Sequence, residues 1–444
     1  MTAPVADLTA RRLEVLLARE QTEGRLPSIA AGVVRNGSLA WTGAISGLAG
    51  FETGPDVQYR IGSITKTLVA VLVLQLRDEG ALDLNDPLEK HLPGIRYADR
   101  TLRGLLAHAT GMHSEPAGSW WERSPGRSFE ELAESLDDQT PPFAAGATFH
   151  YSNVGFALLG EVVARHRGTS WWEQVEQRIL RPLGMRRTTY LPQPPAATGY
   201  SVHHFAGTLT EEPAHDSGAM APAGQVWSTV TDLARYAAFL LDGHPEVLGA
   251  ETLAEMSTPQ AASYAGAMGS AHGLGFQMVH GGAGVLFGHT GSMPGFLAAL
   301  FVDPLRRTGA VVLANGTAGL RTDGLATDLL DTLEELEGTI AEPWRPVEEL
   351  PAAVSEILGL WHWGNTSHAF SWDGHEVRVT MPGSGVERHR FAQQPDGTFL
   401  GTRGYHHGEV LRVVRNDDGT PNHLVCATFV YTRVPYDPAA PIPG

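Results

Sequence analysis

A serine and a lysine stand three residues apart in the segment Ser63-Ile64-Thr65-Lys66. On a helix, residues three apart lie one turn above each other, so the lysine amine can reach the serine hydroxyl. Serine becomes a good nucleophile only when a base removes its proton, and arginine cannot do this because it stays protonated. The spacing therefore favours an acyl-transfer pair, although a helix-capping serine followed by a snorkelling lysine would have the same sequence.

The chain has 32 lysines and arginines together, and only Lys66 and Lys90 are lysines. A coding bias towards arginine, glycine and proline explains this shortage, and Lys90 has no chemical companion nearby in the sequence. Lys66 stands out because it falls in register with a serine. Ser63 is also expected at the N-terminus of the helix, where outward-pointing backbone N–H groups can stabilise an oxyanion.

Two further triplets carry groups that could join this pair. Tyr151-Ser152-Asn153 precedes a helical segment, and His289-Thr290-Gly291 lies where two late strands meet. Other chemistries find no support, since the chain has no G-x-S-x-G elbow, H-E-x-x-H pair, P-loop or G-x-G-x-x-G fingerprint. His203-His204 and His406-His407 are predicted to be solvated loop histidines, so no metal and no cofactor is expected.

The elements that must position these groups follow from turn and periodicity signals. Asn36-Gly37 predicts a hairpin of strands 29–35 and 39–45, and the nearly all-apolar run from Ser63 to Gly80 predicts a buried helix. Helical pieces are expected at 101–108, 128–136, 154–167, 171–179 and 231–242. Late strands GFQMVH, VLFGH, FLAALFVD and AVVLANG, followed by a helix at 322–338, complete one antiparallel sheet with the first hairpin. The fold class is thus α+β, with helices packed on the sheet and a helical lobe inserted.

A change in composition predicts a second domain. The proline-rich stretch 341–351 is expected to be a linker between a catalytic domain, 1–340, and a β-rich domain, 352–444. Turn signals at Asp373-Gly374, Asp396-Gly397 and Asp418-Gly419 separate short alternating strands, which predicts a small antiparallel barrel or sandwich.

Composition excludes several classes of protein. With 42% hydrophobic and 18% charged residues the chain is globular, and a net charge of −17 argues against nucleic-acid binding. A single cysteine, Cys426, forms no internal disulfide. The N-terminus reads as an amphipathic helix and no apolar run is long enough to span a membrane, so we expect a cytoplasmic protein that does not bind membranes.

The three short motifs together carry a resemblance. Ser63 to Lys66, Tyr151 to Asn153 and His289 to Gly291 resemble, in order and spacing, the Ser-x-x-Lys, Tyr-x-Asn and Lys-Thr-Gly motifs of penicillin-recognising serine hydrolases. The chain is similar to the class C β-lactamase and DD-peptidase superfamily over residues 1–340, including the phrases LLAHATGM (105–112) and APAGQVWSTVTDLARY (221–236). The third motif departs from the family because histidine replaces lysine, which argues against β-lactamase activity.

The resemblance implies a role for each residue. Ser63 would be the nucleophile, and Tyr151 is favoured as base with Lys66 holding it ionised, while the reverse assignment stays open. The pKa values of Lys66 and of the Tyr151 phenol are both expected to be lowered. Asn153 would bond Lys66 and the acyl amide, and His289 would orient Tyr151 or the leaving group. The backbone N–H groups of Ser63 and Ser292, the residue after Gly291, would form the oxyanion hole.

Three tryptophans and one arginine outside the motifs are candidates for contact with the substrate. Trp120, Trp121 and Trp227 could line an acyl-binding cleft, with ordinary core or rim positions as the alternative. Arg433, in the last predicted strand, could bind a polar group of the substrate, with a plain surface arginine as the alternative.

Within this superfamily the chain most resembles the penicillin-binding-protein-type thioesterases, whose second domain is a lipocalin-like barrel. Three features carry this resemblance: the histidine in the third motif, the expected cytoplasmic location and the C-terminal β-domain. The resemblance implies a stand-alone enzyme that takes a peptidyl thioester from a peptidyl carrier protein of a non-ribosomal peptide synthetase. It would release a head-to-tail macrolactam and prefer a D-configured acyl residue. A D-stereospecific aminopeptidase or esterase of the same fold is the alternative, and a non-catalytic peptide-binding protein of this fold is a third, less favoured one.

Overall fold

The computed structural model describes residues 4–136, 140–264, 268–282, 284–338, 340 and 343–436. The chain divides into two compact units, Met1–Thr339 and Ile340–Gly444. The helices are α1 (Asp7–Glu23), α2 (Thr65–Asp78), α3 (Leu102–Leu106), α4 (Phe129–Glu134), α5 (Asn153–Arg167), α6 (Trp171–Val175), α7 (Arg181–Leu183), α8 (Val230–Asp242), α9 (Ala250–Met256), α10 (Thr322–Glu337) and α11 (Ala352–Ile357). Short helical turns cover Gly62–Ile64, Leu88–Lys90, Glu176–Leu180 and Ala221–Ala223.

Antiparallel strands form the main sheet of the first unit. They are β1 (Ser28–Arg35), β2 (Ser38–Ser46), β7 (Ala261–Tyr264), β8 (Met268–His272), β9 (Gln277–His280), β10 (Val285–Met293), β11 (Phe296–Asp303) and β12 (Thr308–Ala314). Their order is β2-β1-β12-β11-β10-β9-β8-β7, so the first hairpin pairs with the last strand. Two short pairs stand apart: β3 (Tyr59–Arg60) with β6 (Trp227–Ser228), and β4 (Tyr200–Val202) with β5 (Leu209–Glu211).

The two faces of this sheet bury different helices. Along β1, Ile29, Ala31 and Val33 pack with α1 and α10, whereas Ala30 and Val34 pack with α2 and α8. This alternation is the period of two that a strand buried on both faces requires. The prediction of one antiparallel sheet flanked by helices, with a helical lobe inserted between the hairpin and the late strands, is confirmed.

Local signals fix the parts of the unit that matter for the site. Asn36 and Gly37 adopt positive φ angles of 47° and 74° and close the β1–β2 hairpin. Helix α2 is buried from Thr65 to Leu76, and Gly80 (φ 73°) follows its end, as predicted. The buried helix therefore carries the Ser63–Lys66 pair into the middle of the unit.

The second unit contains a closed antiparallel barrel. Its strands, each next to its sequence neighbour, are β13 (Gly359–Trp363), β14 (Thr366–Trp372), β15 (Val377–Thr380), β16 (Glu387–Gln393), β17 (Phe399–Gly404), β18 (Val410–Arg415), β19 (Pro421–Cys426) and β20 (Phe429–Thr432). Trp361, Phe391 and Phe399 are fully buried in its interior. Side chains fill the barrel, as is usual for eight strands, and the predicted small β-barrel is confirmed.

Among the described residues, no helix has the length and apolar character needed to cross a lipid bilayer.

Candidate active site

The Lys66 amine and the Ser63 hydroxyl lie within hydrogen-bonding distance. Ser63 occupies a single helical turn, Gly62–Ile64, that leads directly into α2. Lys66 is fully buried, and its Nζ donates to Ser63 Oγ over 2.8 Å and to the carbonyl oxygen of Ala223 over 2.6 Å. The predicted contact across one helical turn is confirmed, and a snorkelling lysine is ruled out because this side chain reaches no solvent.

Burial controls the charge of Lys66. Removal from water lowers the pKa of its ammonium from 10.5 to about 7, while the carboxylates of Glu115 and Glu122 oppose the shift. Near neutral pH a large fraction of the amine is therefore uncharged. An uncharged amine can keep its hydrogen bond to the Ala223 carbonyl and offer its lone pair to the Ser63 proton.

Tyr151 faces the same pair from the start of α5. Its ring lies 5.0 Å from Lys66 Nζ and stacks on the His108 ring at a centroid distance of 4.1 Å. Its hydroxyl is buried and has no hydrogen-bond partner within the described residues. Burial raises the pKa of Tyr151, although the nearby Ser63 side chain opposes the shift. The prediction that both pKa values fall is confirmed for Lys66 and wrong for Tyr151, because desolvation disfavours the phenolate.

Asn153 contacts a carboxylate that the sequence did not single out. Its Nδ2 donates to Glu115 Oε1 over 2.6 Å, and Trp121 Nε1 donates to Glu115 Oε2 over 2.7 Å. Burial raises the pKa of Glu115. The expected bond between Asn153 and Lys66 is replaced by this link to Glu115. Glu115, an exposed residue, thus adds a carboxylate to the rim of the site, and its electric field reaches Lys66.

His289 is buried on β10 and belongs to a group of three histidines. Ring nitrogens of His108, His272 and His289 lie within 4.8 Å of one another. The His289 Nδ1–H donates to the Thr290 carbonyl over 2.5 Å, and the Ser152 N–H donates to His108 Nδ1 over 3.0 Å. Burial lowers the pKa of His289 to about 3 and that of His272 to about 4, so both rings are neutral near pH 7.

A neutral His289 has a specific chemical consequence. It cannot supply the fixed positive charge that the lysine of a Lys-Thr-Gly motif would bring to the site. Because its Nδ1–H is directed to the Thr290 carbonyl, its Nε2 is left as a hydrogen-bond acceptor.

Two glycines bring strand β10 against the serine turn. Gly62 has a φ of 53°, and a Cβ there would lie 2.5 Å from the Ser292 backbone nitrogen. A Cβ on Gly291 would collide with the Ile61 carbonyl oxygen. Glycine at both positions therefore lets the Ser292 amide approach the backbone next to Ser63, which is the neighbourhood that a two-amide oxyanion hole requires.

Residues 10–333 match the family described as Beta-lactamase, and residues 350–433 match a domain of unknown function (DUF7586). The chain belongs to the beta-lactamase family. It is a serine hydrolase of the beta-lactamase and penicillin-binding-protein type, as the motifs predicted. It is 28% identical to beta-lactamase-like protein 2 of Dictyostelium discoideum over 280 residues, which are 58% of this chain and half of the length of that relative.

Solved structures extend the similarity. SurE, which has also been solved with D-Leu, is 25% identical, with a TM-score of 0.61 over 96% of this chain and 99% of its own. A D-stereospecific amidohydrolase from Streptomyces sp. is 28% identical, with a TM-score of 0.61 over 76% of this chain and all of its own.

In this beta-lactamase family member Trp227 is a core residue. It is 2% exposed, and its ring meets the edge of Phe296 at 5.0 Å. Its backbone pairs with Thr189 in both directions. The prediction that Trp227 lines a substrate cleft is therefore wrong, because no face of the ring is free. Trp121 is 9% exposed and bonded to Glu115, whereas Trp120 is 58% exposed.

Arg433 stabilises the second unit. Its guanidinium lies 3.8 Å from the centre of the Trp361 ring and donates to the carbonyls of Glu356, Leu358 and Leu360. The residue follows β20 rather than lying within it. These contacts favour a role in stabilising the barrel, and the predicted contact between Arg433 and the substrate stays a prediction.

Three of the four histidines that occur in adjacent pairs are solvent-exposed as predicted, and one is buried. His203, His204 and His407 are exposed, as expected of loop residues. His406 is fully buried and its Nδ1 lies 2.6 Å from Glu409 Oε2, so the prediction that it is solvated is wrong. Within the part of the chain that the structure describes, two groups of side chains could hold a metal ion: the three histidines beside Tyr151, and His406 with Glu409 and Cys426.

Proposed function

We propose that this protein is a stand-alone thioesterase that accepts a non-ribosomal peptidyl thioester on Ser63 and releases it by head-to-tail macrolactam cyclisation. The observation that carries the proposal is the 2.8 Å contact between Ser63 Oγ and a buried Lys66 amine whose pKa is lowered to about 7. This pair supplies a nucleophile with its base at neutral pH.

The first half of the reaction is acyl transfer to serine. The uncharged Lys66 amine takes the Ser63 proton as Oγ attacks the thioester carbonyl, and the oxyanion forms near the amides of Ser63 and Ser292. Collapse expels the thiolate, which receives the proton from the Lys66 ammonium. The opposite pKa shifts of Lys66 and Tyr151 favour Lys66 as the base. Tyr151, with its hydroxyl protonated, then relays or donates a proton.

In the second half of the reaction the N-terminal amine of the peptide accepts the acyl group, and Glu115 is placed to bind and deprotonate this amine. Its carboxylate has an electric field that reaches Lys66, and it retains lone pairs beyond those used by Asn153 and Trp121. A carboxylate there attracts the terminal ammonium of the folded peptide, and its raised pKa suits it to accept a proton. The neutral amine attacks the acyl carbon and passes a second proton to Lys66, which delivers it to Ser63 Oγ as the ester bond breaks, and Glu115 releases the ammonium proton to solvent.

The choice of substrate rests on the similar proteins. SurE has been solved with D-Leu, and the Streptomyces protein is a D-stereospecific amidohydrolase. We therefore propose a D-configured residue at the acyl position, delivered as a thioester by a peptidyl carrier protein. The neutral His289 fits a substrate without the carboxylate that a cationic third motif would attract.

A second candidate is a D-stereospecific aminopeptidase or esterase. The 28% identity to the amidohydrolase over three quarters of this chain favours it. All catalytic groups would be the same, and water would replace the amine as the acceptor. Glu115 would then bind the free ammonium of the substrate's own D-residue.

A product analysis separates the two functions. Linear peptides ending in a D- or an L-residue are offered as thioesters of a small thiol, and the products are identified by mass spectrometry. Cyclic peptide from the D-substrate supports the cyclase, whereas linear acid as the only product would leave the hydrolase. Ser63→Ala should form no acyl-enzyme and no product, and undiminished turnover in this variant would overturn both functions. Offering the same peptide on a carrier protein tests the proposed partner.

A further inference from the structure

One end of the barrel interior contains polar residues that the proposed function does not use. His406, Glu409 and Cys426 place a ring nitrogen, a carboxylate oxygen and a sulfur within 4.8 Å of one another. His406 and Cys426 are fully buried, while the Glu409 side chain is 38% exposed. The other buried side chains of the barrel are mostly apolar, apart from His368, His389 and His423. Within the described part of the barrel, only His406, Glu409 and Cys426 bring three different donor types together.

We propose that His406, Glu409 and Cys426 form a binding site for one divalent cation of the zinc class. Imidazole nitrogen, carboxylate oxygen and thiolate sulfur are the three donor types that Zn²⁺ takes in proteins, and three protein ligands leave a fourth position open. The proposal is independent of the acyl-transfer function, since it lies in the other compact unit.

The backbone prearranges the two ligands that come from one turn. The Glu409 N–H donates to the His406 carbonyl over 3.0 Å, closing a turn whose first and last residues are the two ligands. This turn is tied to Gly401, which accepts from the Gly408 N–H and donates to the Glu409 carbonyl, over 2.8 Å each. A Cβ on Gly401 would collide with the His406 carbonyl oxygen, so glycine is needed for this close approach.

The third ligand comes from the end of β19, and the present distances are close to those of a coordination sphere. Cys426 Sγ lies 3.7 Å from Glu409 Oε2, which lies 2.6 Å from His406 Nδ1. Ligand atoms about 2.0–2.3 Å from a tetrahedral zinc ion are separated by somewhat more than 3 Å. A small rotation of the half-exposed Glu409 side chain opens the shorter contact, and its exposure gives the ion a route to the site.

Neighbouring groups complete the arrangement that metal-bound histidines usually have. Tyr431 Oη lies 3.0 Å from His406 Nε2 and can accept its N–H, which would leave Nδ1 free for the metal. The His389 ring packs 4.5 Å from the His406 ring, and its buried Nδ1 has no hydrogen-bond partner among the described residues.

The proton and charge balance of binding is simple. The cation forms bonds to His406 Nδ1, a Glu409 oxygen and Cys426 Sγ; the thiol proton leaves for solvent, and the imidazole proton moves from Nδ1 to Nε2. A dication with one thiolate and one carboxylate is neutral, which suits a largely buried site. Burial and Glu409 raise the pKa of the Cys426 thiol to about 12, so at neutral pH binding should release about one proton per ion.

The test uses Co²⁺ and Zn²⁺ with the full chain. Cys426 is the only cysteine, so a cobalt–thiolate charge-transfer band reports this sulfur alone. We expect one Co²⁺ per chain, such a band, and its loss on adding Zn²⁺. Cys426→Ser and His406→Asn should weaken binding at least about a hundredfold, and Tyr431→Phe about tenfold to a hundredfold. The matched control is His407→Asn, which changes the exposed neighbouring histidine and should bind normally.

Three results would overturn the proposal: absence of a thiolate band at saturating Co²⁺, unchanged Zn²⁺ affinity in Cys426→Ser, or loss of binding in His272→Asn. The last result would assign the ion to the histidine group beside Tyr151. Circular dichroism of each metal-free variant shows whether it is folded. Should His406→Asn unfold, Cys426→Ser, which changes one atom, decides the matter. Titration calorimetry in buffers of different ionisation enthalpy counts the proton released.

Discussion

The imidazole of His108 stacks on the phenol of Tyr151 at a centroid distance of 4.1 Å and an interplanar angle of 27°. The next residue, Ser152, donates its N–H to His108 Nδ1, so one histidine fixes both the ring and the backbone of the tyrosine motif. His108 is fully buried, and burial, with help from the charge of Lys66, lowers its pKa well below the usual range. A neutral ring thus holds the Tyr151 hydroxyl towards Ser63 without adding charge.

Removing that hydroxyl should separate catalysis from stability. Tyr151→Phe keeps the stacked ring and deletes a buried hydroxyl that lies near Ser63 but forms no hydrogen bond of regular geometry within the described residues. We expect acylation of Ser63 to slow about 10²- to 10⁴-fold, the size of a lost proton-transfer group, while the melting temperature stays equal or rises. Rapid-quench mass measurement of acyl-Ser63 and a thermal melt check the two parts. Unchanged acylation would remove Tyr151 from the mechanism.

The lowered pKa of Lys66 predicts a pH profile. Only the uncharged amine accepts a proton, so kcat/KM should rise with pH through a midpoint near 7 and then level off. Below the midpoint it should fall about tenfold per pH unit. His272 and His289, with pKa values of about 4 and 3, should leave no further step between pH 5 and 8. A midpoint near 10 would contradict a base of this kind.

The two lysines of the chain provide a matched pair of variants. Lys66→Arg places a permanent cation in the site and should lower kcat/KM by about 10³-fold or more, because a guanidinium cannot accept the serine proton. Lys90→Arg alters an exposed residue that pairs with Asp86 and should leave the kinetics unchanged. Steady-state rates with a D-acyl ester measure both. Activity of Lys66→Arg within tenfold of the wild type would point to another base.

Glu115 predicts a change in the acceptor step. Glu115→Gln removes the carboxylate proposed to bind the amine, so the ratio of aminolysis or cyclisation to hydrolysis should fall about tenfold to a hundredfold, the worth of a hydrogen bond to a charged group. The same charge raises the pKa of Lys66, so the midpoint of the pH profile should move to lower pH. Product ratios at several pH values test the change in partition and the shift of the midpoint. The control is Glu161→Gln, which removes a carboxylate that pairs with Arg165 on a helix surface.

The sequence predicted those features that local rules determine. The spacing of Ser63 and Lys66 on a helix sets their contact regardless of the rest of the chain, and Asn36-Gly37 sets the hairpin by its backbone preference. In the same way the alternation of apolar residues identified the central strands. Strands β7 and β8 were missed because AASY and MGSAH are rich in small residues and contain no β-branched side chain.

Features that depend on packing between distant segments were not predictable. Glu115, 38 residues before Asn153 in the chain, accepts the hydrogen bond of its side-chain amide. The sequence instead predicts a hydrogen bond between Asn153 and Lys66, because both residues belong to known motifs. The signal for His108 was present in the phrase LLAHATGM, which resembled the family without revealing the stack on Tyr151. A pKa depends on burial, so the raised value for Tyr151 could be read only from the folded chain.

The burial of Trp227 predicts a loss of stability rather than of binding. Trp227→Ala empties a site packed against Phe296 and should lower the free energy of unfolding by about 3–5 kcal/mol. Trp120→Ala, at a ring 58% exposed, should cost far less and serves as the control. Denaturant unfolding of both variants measures the difference. A stable Trp227→Ala enzyme with a raised KM would restore the cleft-wall role that the fold argues against.

Arg433 predicts a loss of stability confined to the barrel. Arg433→Lys keeps the charge but cannot reach the carbonyls of Glu356, Leu358 and Leu360 together or lie flat on Trp361. We expect the barrel to lose about 1–3 kcal/mol of unfolding free energy. Acylation of Ser63 by a small D-acyl ester should stay within twofold of the wild type, because Arg433 binds backbone carbonyls. Hydrogen exchange of the barrel strands, measured beside the acylation rate, tests this: slower acylation with unchanged exchange would assign Arg433 to the substrate after all.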